Sequence, residues 1–288
     1  MENKDTIFSK KSYINCHGSL LDFEMPRVMG VLNATPDSFY DGGYYYDPNS
    51  IQKRIKQILE EGADIIDVGG YSSRPGADHI SKKEEWQRLE PVLKMIRKEH
   101  PDTVISVDTF RSDIATSAVK EYGVDIINDI SAGELDDKMF ETISELQVPY
   151  IMMHMKGTPQ NMKEKAHYDD LMDEVLKYFA RKYDQLRNMG VNDVILDPGF
   201  GFAKNIEQNF LLMNKLKQFM IFELPLLVGI SRKSMVFNTL NVSPQEALNG
   251  TTVLNTIALL QGANILRVHD VKQAKEVIQL VQKLENAQ

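Results

Sequence analysis

The chain has 288 residues, of which 42% are hydrophobic, and carries a formal net charge of −8. The acidic balance argues against sequence-independent nucleic-acid binding, so we expect no nucleic-acid partner. A single cysteine cannot form an intramolecular disulfide, which fits a reducing compartment. The N-terminus lacks an apolar signal core and no apolar stretch approaches ~18 residues, so we expect a cytoplasmic protein that does not cross a membrane. The length and the absence of a linker predict a single domain over residues 1–288.

Residues 1–26 predict an N-terminal β-hairpin. The short stretches Ser12–Cys16 and Ser19–Phe23 flank His17-Gly18, a pattern that is typical of two antiparallel strands joined by a tight turn. We expect this hairpin to lie across the N-terminal mouth of the main fold, which would comprise residues 27–288.

Eight apolar runs follow, and each stops at a polar residue. Helix-like sequence separates most of the runs, and an alternation of buried strands and helices is typical of a TIM (β/α)8 barrel, in which all strand ends meet at one rim. An open doubly wound sheet is the alternative fold, but its G-x-G-x-x-G fingerprint is missing from the sequence. The stop residues are Asn33, Asp67, Asp108, Asn128, His154, Asp197, Ser231 and Arg267.

A recurring glycine pattern supports this count of strands. Gly62, Gly123, Gly190 and Gly262 each precede a short polar turn and a β-branched run. We expect each glycine to end a helix in the left-handed conformation, with the second, fourth, sixth and eighth barrel strands following.

Capping residues and periodicity indicate several helices. Ser81 with Glu84 and Ser243 with Glu246 have the spacing of capping boxes. The longest helical pattern runs over about 168–189, and a final helix is expected over about 271–284.

Two loops at the expected rim carry chemically useful groups. The loop Asn33–Gly43 mixes an amide, two carboxylates and a glycine pair, so its oxygens could meet Mg2+; an ordinary surface loop is the alternative. The loop Gly69–Gly76 places hydroxyls beside Arg74, which suits an oxyanion or a carboxylate; a solvated arginine in a turn is the alternative.

The barrel mouth itself is expected to bind a flat nitrogen heterocycle. Asp108, Asn128 and Asp197 end three strands and should converge, where carboxylates and an amide can read the edge of a ring. Helix capping is the alternative for any one of them. Ile130 and Met153 would line a slot for the ring or belong simply to the core.

The ends of the last two strands predict a phosphate-binding site. TIM barrels commonly hold phosphate after strands seven and eight, where helix N-termini and cationic side chains converge. Lys233, Arg267 and His269 have the required placement, and a salt-bridged rim is the alternative reading. Phe202 belongs to an alternating run of glycine and phenylalanine after a proline turn, and its ring can stack on a ligand. His154 is interpreted as a rim histidine rather than a metal ligand.

From Val28 to Val271 the chain carries a series of motifs that resemble, in the same order, those of the dihydropteroate synthase family. The resemblance implies a TIM-barrel homodimer that uses Mg2+ and joins 4-aminobenzoate to (7,8-dihydropterin-6-yl)methyl diphosphate, releasing diphosphate in folate biosynthesis. The matching motifs are GVLNATPDSF, DVGGYSSRPGA, ISVDT, IINDI, MMHM, LDPGFGF, VGISRKS and RVHDV.

The resemblance also implies roles for individual residues, with Asp108, Asp197 and Lys233 at the centre of catalysis. The implied pterin pocket comprises Asp108, Asn128, Ile130, Met153, Asp197, Phe202 and Lys233. The implied diphosphate contacts are Asn33, Ser73, Arg267 and His269, with Asn33 as the Mg2+ ligand. The implied aminobenzoate site comprises Phe39, Asp41, Arg74, Pro75 and Ser234.

The chain departs from the family pattern at a few positions. Tyr71 stands where the family commonly has Glu, and Ser73 stands where Thr is usual, which preserves the hydroxyl. Because an aromatic amine is already neutral at pH 7, we expect a dissociative, SN1-like substitution that needs no general base. A pterin-dependent methyltransferase and a non-catalytic pterin-binding module are the rival functions.

Overall fold

The computed structural model of the protein describes residues 12–34, 47–73 and 78–287. Within these ranges the chain forms ten strands, two in an antiparallel hairpin and eight in one parallel sheet. The strands are β1 (Tyr13–Cys16), β2 (Ser19–Asp22), β3 (Arg27–Asn33), β4 (Ile65–Gly69), β5 (Val104–Asp108), β6 (Ile126–Asp129), β7 (Tyr150–Met153), β8 (Val194–Asp197), β9 (Leu227–Val228) and β10 (Ile265–Val268).

The eight parallel strands form a nearly closed barrel. Their order in the sheet is β8-β7-β6-β5-β4-β3-β10-β9. β8 and β9 meet through an isolated parallel bridge between Leu196 and Leu226, which brings the two edges of the sheet together. The prediction of a TIM (β/α)8 barrel with an N-terminal hairpin is therefore confirmed.

Nine α-helices occur in the described residues and surround this sheet. They are α1 (Pro48–Glu60), α2 (Lys82–Glu99), α3 (Ser112–Tyr122), α4 (Met139–Leu146), α5 (Leu171–Asn188), α6 (Ile206–Asn214), α7 (Ser234–Leu240), α8 (Leu248–Leu260) and α9 (Val271–Glu285). None of the helices in the described ranges is long and apolar enough to span a membrane.

The hairpin closes the N-terminal end of the barrel, as expected. Ile14, Cys16 and Phe23 are buried against a ring of strand residues that includes Met29 and Ile65. Because apolar side chains fill this end, the polar residues of the barrel are left to line the opposite mouth.

The four glycines of the recurring pattern have the predicted conformation. Gly62, Gly123, Gly190 and Gly262 have φ angles of 91°, 58°, 80° and 98°. Each lies in the left-handed region that glycine enters without steric penalty, and a barrel strand follows each one. The helix ends could therefore be located from sequence.

Three local details differ from the sequence interpretation. Asp67, Asn128 and Arg267 are not strand-terminal residues, because β4, β6 and β10 continue to Gly69, Asp129 and Val268. The seventh barrel strand contains only Leu227–Val228 and ends before Ser231, whose hydroxyl accepts the His269 N–H at 3.2 Å. Ser243 and Glu246 form a capping box, but they begin a 3-10 turn rather than an α-helix.

Candidate active site

The C-terminal mouth of the barrel brings several of the predicted polar residues together. Asn33, Asp108 and Asp197 are the last residues of β3, β5 and β8. Parallel strands place their carboxyl ends at the same edge, so these side chains share one rim. Gly69 leaves space between them, since an added Cβ would lie 3.6 Å from Cβ of Asp108 and 3.8 Å from Oδ1 of Asn33.

A buried ion network occupies the centre of the mouth. Nε of Arg267 donates to Oδ2 of Asp67 at 2.7 Å, and Nη2 of Arg267 donates to Oδ2 of Asp108 at 2.8 Å. Nδ2 of Asn128 lies 3.3 Å from both carboxylate oxygens of Asp67. Two predicted pterin residues and one predicted diphosphate residue are thus connected through Asp67, which is fully buried.

The network shifts the protonation of its members. Burial raises the pKa of Asp108 to about 7, although the positive charge of Arg267 opposes this rise. Burial by itself would lower the pKa of Arg267, but the carboxylates of Asp67 and Asp108 outweigh burial and raise it. Arg267 is therefore a permanent cation between two acids.

The end of β8 carries the second acid of the mouth and a lysine beside it. Burial raises the pKa of Asp197, and the nearby Lys233 opposes this. Burial likewise lowers the pKa of Lys233 to about 8, against the attraction of Asp197. Nζ of Lys233 donates to the main-chain oxygen of Phe200 at 2.5 Å and lies 4.7 Å from the centre of the Phe202 ring.

Lys233 and Arg267 are neighbours across the short strand β9. A Cβ placed on Gly229 would lie 3.7 Å from Cβ of Arg267 and 3.9 Å from Nζ of Lys233. Glycine at this position permits two cationic side chains to approach the same part of the mouth.

Apolar side chains form one wall of the mouth. The predicted wall residues Ile130, Met153 and Phe202 belong to one cluster, in which Ile130 and Met153 are buried and Phe202 is partly buried. Tyr71 and Phe110 extend this cluster, with ring centres 5.1 Å apart in an edge-to-face arrangement. A flat ligand can therefore be sandwiched against this wall while its edge faces the polar residues.

His269 lies at the end of β10 with fixed partners. Its Nδ1 is 3.1 Å from Oγ of Ser231, and its main-chain oxygen accepts a hydrogen bond from Arg54 at 2.7 Å. Burial and the charge of Arg267 lower the pKa of His269 to about 4, so the imidazole is neutral. Ser234 is exposed at the first position of α7, and Ser73 is half-buried shortly after β4.

The donor set at the rim fits Mg2+ better than a transition metal. Oδ1 of Asn33 is a hard oxygen donor beside Asp108. In the described part of the chain, no three His, Cys, Asp or Glu side chains are grouped to hold a metal ion. Mg2+ needs only a few oxygen ligands from the protein when substrate phosphate supplies the others.

Some predicted positions cannot be placed, and other residues were missed. Phe39, Asp41, Arg74 and Pro75 lie outside the described residues. Asp67 ends one of the apolar runs in the sequence, but no role was predicted for it. Its strand lies between two strands that carry predicted site residues, and this position was an available signal.

Lys204 gave no comparable sequence signal, because it lies beyond β8 in a loop. In the structure its amine is buried and approaches His154 at 3.0 Å. His154 therefore has a lysine partner, which agrees with its interpretation as a rim histidine with satisfied hydrogen bonds.

Comparison with known proteins agrees with this geometry. A profile described as pterin binding enzyme matches residues 29–269. The chain is 43% identical over 267 residues to the dihydropteroate synthase of Escherichia coli strain K12, with 92% of this chain and 94% of that protein covered. The chain belongs to the dihydropteroate synthase family of pterin-binding enzymes.

Solved structures of this family have the same fold. A Yersinia pestis dihydropteroate synthase with a sulfonamide drug complex has a TM-score of 0.89 and 39% identity, covering 95% of this chain and 99% of that chain. A Xanthomonas albilineans dihydropteroate synthase with 4-aminobenzoic acid has a TM-score of 0.88 and 32% identity, covering 95% and 98%.

Proposed function

We propose that the protein condenses (7,8-dihydropterin-6-yl)methyl diphosphate with 4-aminobenzoate to give 7,8-dihydropteroate and diphosphate in folate biosynthesis. The observation that carries this proposal is the arrangement of two acids, the buried Asp197 and the largely buried Asp108, on one rim with the cations Lys233 and Arg267 beside them. Family membership supports the same activity.

The pterin ring binds between the polar arc and the apolar wall. The carboxylates of Asp108 and Asp197 accept from the nitrogen-rich edge, the amide of Asn128 accepts and donates, and Lys233 donates to the ring. Ile130, Met153 and Phe202 cover its faces. The proximity of these residues within one mouth supports this assignment.

The reaction breaks the bond between the pterin methylene carbon and a diphosphate oxygen, and the electron pair leaves with diphosphate. The ring nitrogens share the positive charge that remains on the methylene, and the negative charge of Asp108 and Asp197 stabilises that cation. The lone pair of the amine then forms the new carbon–nitrogen bond, and the amine loses one proton. Each preorganised contact is expected to contribute about 3 kcal/mol, by analogy with oxyanion-hole donors.

Diphosphate binds on the side of the mouth formed by β3, β4 and β10. Asn33, Ser73, Arg267 and His269 contact it, and Asn33 would also hold Mg2+. When bound, Mg2+ supplies positive charge that stabilises the departing diphosphate. The neutral His269 is suited to donate a hydrogen bond from its ring rather than a charge.

The amine substrate binds next to the pterin, near the start of α7. Phe39, Asp41, Arg74, Pro75 and Ser234 form this site by family resemblance. The exposure of Ser234 at the rim supports its availability to a substrate.

The protein forms a homodimer in the cytoplasm. α8 and α9 pack side by side, and both present exposed apolar side chains that a second copy can cover. These side chains are Val253, Leu260, Leu280 and Leu284. The buried state of the single Cys16 fits a reducing compartment. Sedimentation of the wild type and of Leu280→Lys tests the dimer, since the charged variant should sediment as a monomer.

The activity is tested by mixing the purified protein with both substrates and Mg2+ and measuring diphosphate and dihydropteroate. Formation of both products in equal amounts is expected. Folded protein that binds the pterin but releases no diphosphate would instead be a non-catalytic binding module. Transfer of a methyl group from a methylated pterin would identify the methyltransferase alternative.

A further inference from the structure

The turn from Asp197 to Lys204 adopts an unusual backbone. Gly199, Gly201 and Ala203 have positive φ angles of 72°, 80° and 48°. At Gly199 the chain passes so close to the end of β7 that an added Cβ would lie 2.1 Å from the main-chain oxygen of His154. Glycine enters this region without penalty, but left-handed backbone is unfavourable for Ala203, and the close approach at Gly199 requires the turn to keep its position.

Lys204 provides the central contacts that hold the turn. Its Nζ donates to the main-chain oxygens of Gly199 at 3.2 Å and Phe202 at 3.1 Å. Nδ1 of His154 lies 3.0 Å from the same nitrogen. Nζ of Lys204 therefore has three polar neighbours within hydrogen-bonding distance, at a side chain that is only 8% exposed.

His154 is a fixed, neutral hydrogen-bond partner for this lysine. It is 2% exposed, and its ring packs edge-on against Tyr178 with 4.9 Å between ring centres. Burial, together with the charges of Lys204 and Lys156, keeps the pKa of His154 well below its ordinary value. The ring therefore carries no charge that would repel the lysine.

The two ends of the turn carry groups of the proposed pterin pocket. Oδ1 of Asp197 accepts the Gly199 N–H at 2.8 Å, so the residue whose carbonyl binds Lys204 also orients the acid. At the other end, Lys204 binds the carbonyl of Phe202, whose ring lies on the apolar wall. Displacement of the lysine would move both groups.

From these contacts, and on the basis of the proposed function, we infer that Lys204, paired with His154, is a positioning residue for the pterin. It holds the Asp197–Phe202 turn so that the carboxylate and the aromatic ring face the heterocycle. The lysine does not touch the substrate. Its effect should be specific to the pterin, because the proposed aminobenzoate site lies on other loops.

The test is calorimetric binding of 6-hydroxymethylpterin, which lacks the diphosphate and reports on the ring pocket alone. Lys204→Met should raise Kd at least about tenfold, as expected if the displaced Asp197 loses one charge-assisted hydrogen bond to the pterin, and leave the binding stoichiometry unchanged. A merely structural role would lower the stoichiometry through unfolded protein and leave Kd unchanged. Lys275→Met is the control, since Lys275 bonds to Asp64 at the opposite end of the barrel.

A second variant, His154→Phe, preserves the ring packing and removes the hydrogen-bond partner of Lys204. It should also raise Kd, by a smaller factor than Lys204→Met does. If Lys204→Met does not fold, this variant alone tests the inference. Unchanged Kd in either folded variant would overturn the inference. Failure of the wild type to bind the pterin would overturn the proposed function instead.

Discussion

The guanidinium of Arg267 lies 2.8 Å from the carboxylate of Asp108, although family resemblance implies the diphosphate for one and the pterin for the other. A single cation therefore connects the two halves of the proposed substrate site. When a pterin binds Asp108, the hydrogen-bond partners of Arg267 change, and Arg267 is the residue that faces the diphosphate. The buried Asp67, which holds the same guanidinium from the other side, sets the position of Arg267.

Asp67→Asn should impair both stability and catalysis. Removing one partner from a buried ion network is expected to lower the free energy of unfolding by about 3 kcal/mol. Because Arg267 loses its orienting acid, kcat/KM for the pterin diphosphate should fall at least tenfold. Urea unfolding and steady-state kinetics measure the two effects.

Asp64→Asn is the matched control for that variant. Asp64 also bonds to cations, Arg27 and Lys275, but at the opposite end of the barrel. It should lower stability and leave kcat/KM of the folded protein near the wild-type value. Equal kinetic losses in both variants would contradict a specific role for Asp67.

Asp197→Asn should reduce turnover more than it reduces the affinity for 4-aminobenzoate. The amide cannot stabilise a cationic pterin as the carboxylate does, so kcat should fall roughly a hundredfold. KM for 4-aminobenzoate should stay close to the wild-type value. A variant with unchanged kcat would remove Asp197 from the proposed mechanism.

Gly199→Ala should be much more harmful than Gly190→Ala, although both residues have left-handed backbone. An added Cβ at Gly190 meets no atom within 4 Å, so its cost should be about 1 kcal/mol of backbone strain. At Gly199 the new Cβ would clash with the carbonyl of His154, and the free energy of unfolding should fall by at least about 3 kcal/mol. Urea unfolding of the two variants checks the difference, and equal losses would contradict the close approach.

Tyr71→Phe tests the chain-specific residue of the second rim loop. The Tyr71 hydroxyl accepts from Nε2 of Gln160 at 2.8 Å and lies 3.2 Å from Nδ1 of His79, so it connects the loops that follow β4 and β7. Its removal should raise KM for 4-aminobenzoate several-fold and leave pterin binding unchanged. Tyr122→Phe, which removes a surface hydroxyl bonded to Glu90, is the control and should change neither. Altered pterin binding with unchanged KM for 4-aminobenzoate would contradict this role.

The buried Lys204 should make stability depend on pH in a defined direction. Burial lowers its pKa from the ordinary 10.5 to about 7, and Asp197 opposes the shift while Lys233 and Lys156 add to it. Between about pH 7 and pH 10.5 the unfolded chain binds this proton and the folded chain does not, so the contribution of Lys204 to stability rises with pH. Each pKa unit corresponds to about 1.4 kcal/mol.

The measurement compares urea unfolding of the wild type and Lys204→Met at several pH values in that window. Taking the difference removes the contributions of Lys233, Asp108 and other groups that both proteins share. The stability of the wild type relative to the variant should increase with pH. A constant difference would contradict the buried position of this amine.

The barrel could be predicted from sequence because its signals are local. An apolar run, a helix and a left-handed glycine recur along the chain, and the φ angles at Gly62, Gly123, Gly190 and Gly262 agree. The parallel strand ends then place Asn33, Asp108 and Asp197 on one rim without further information. The same argument placed the end of the seventh barrel strand too far along the chain, since the apolar run reaches Ser231 but the strand ends at Val228.

Sequence alone therefore determined the fold, the family and the set of strand-end residues at the mouth. Only the tertiary structure decided which of these residues are partners. Arg267 and Asp67 are 200 positions apart, and Lys204 and His154 are 50 apart. Residue spacing encodes periodicity within an element, whereas an ion pair between elements depends on where barrel closure places each side chain.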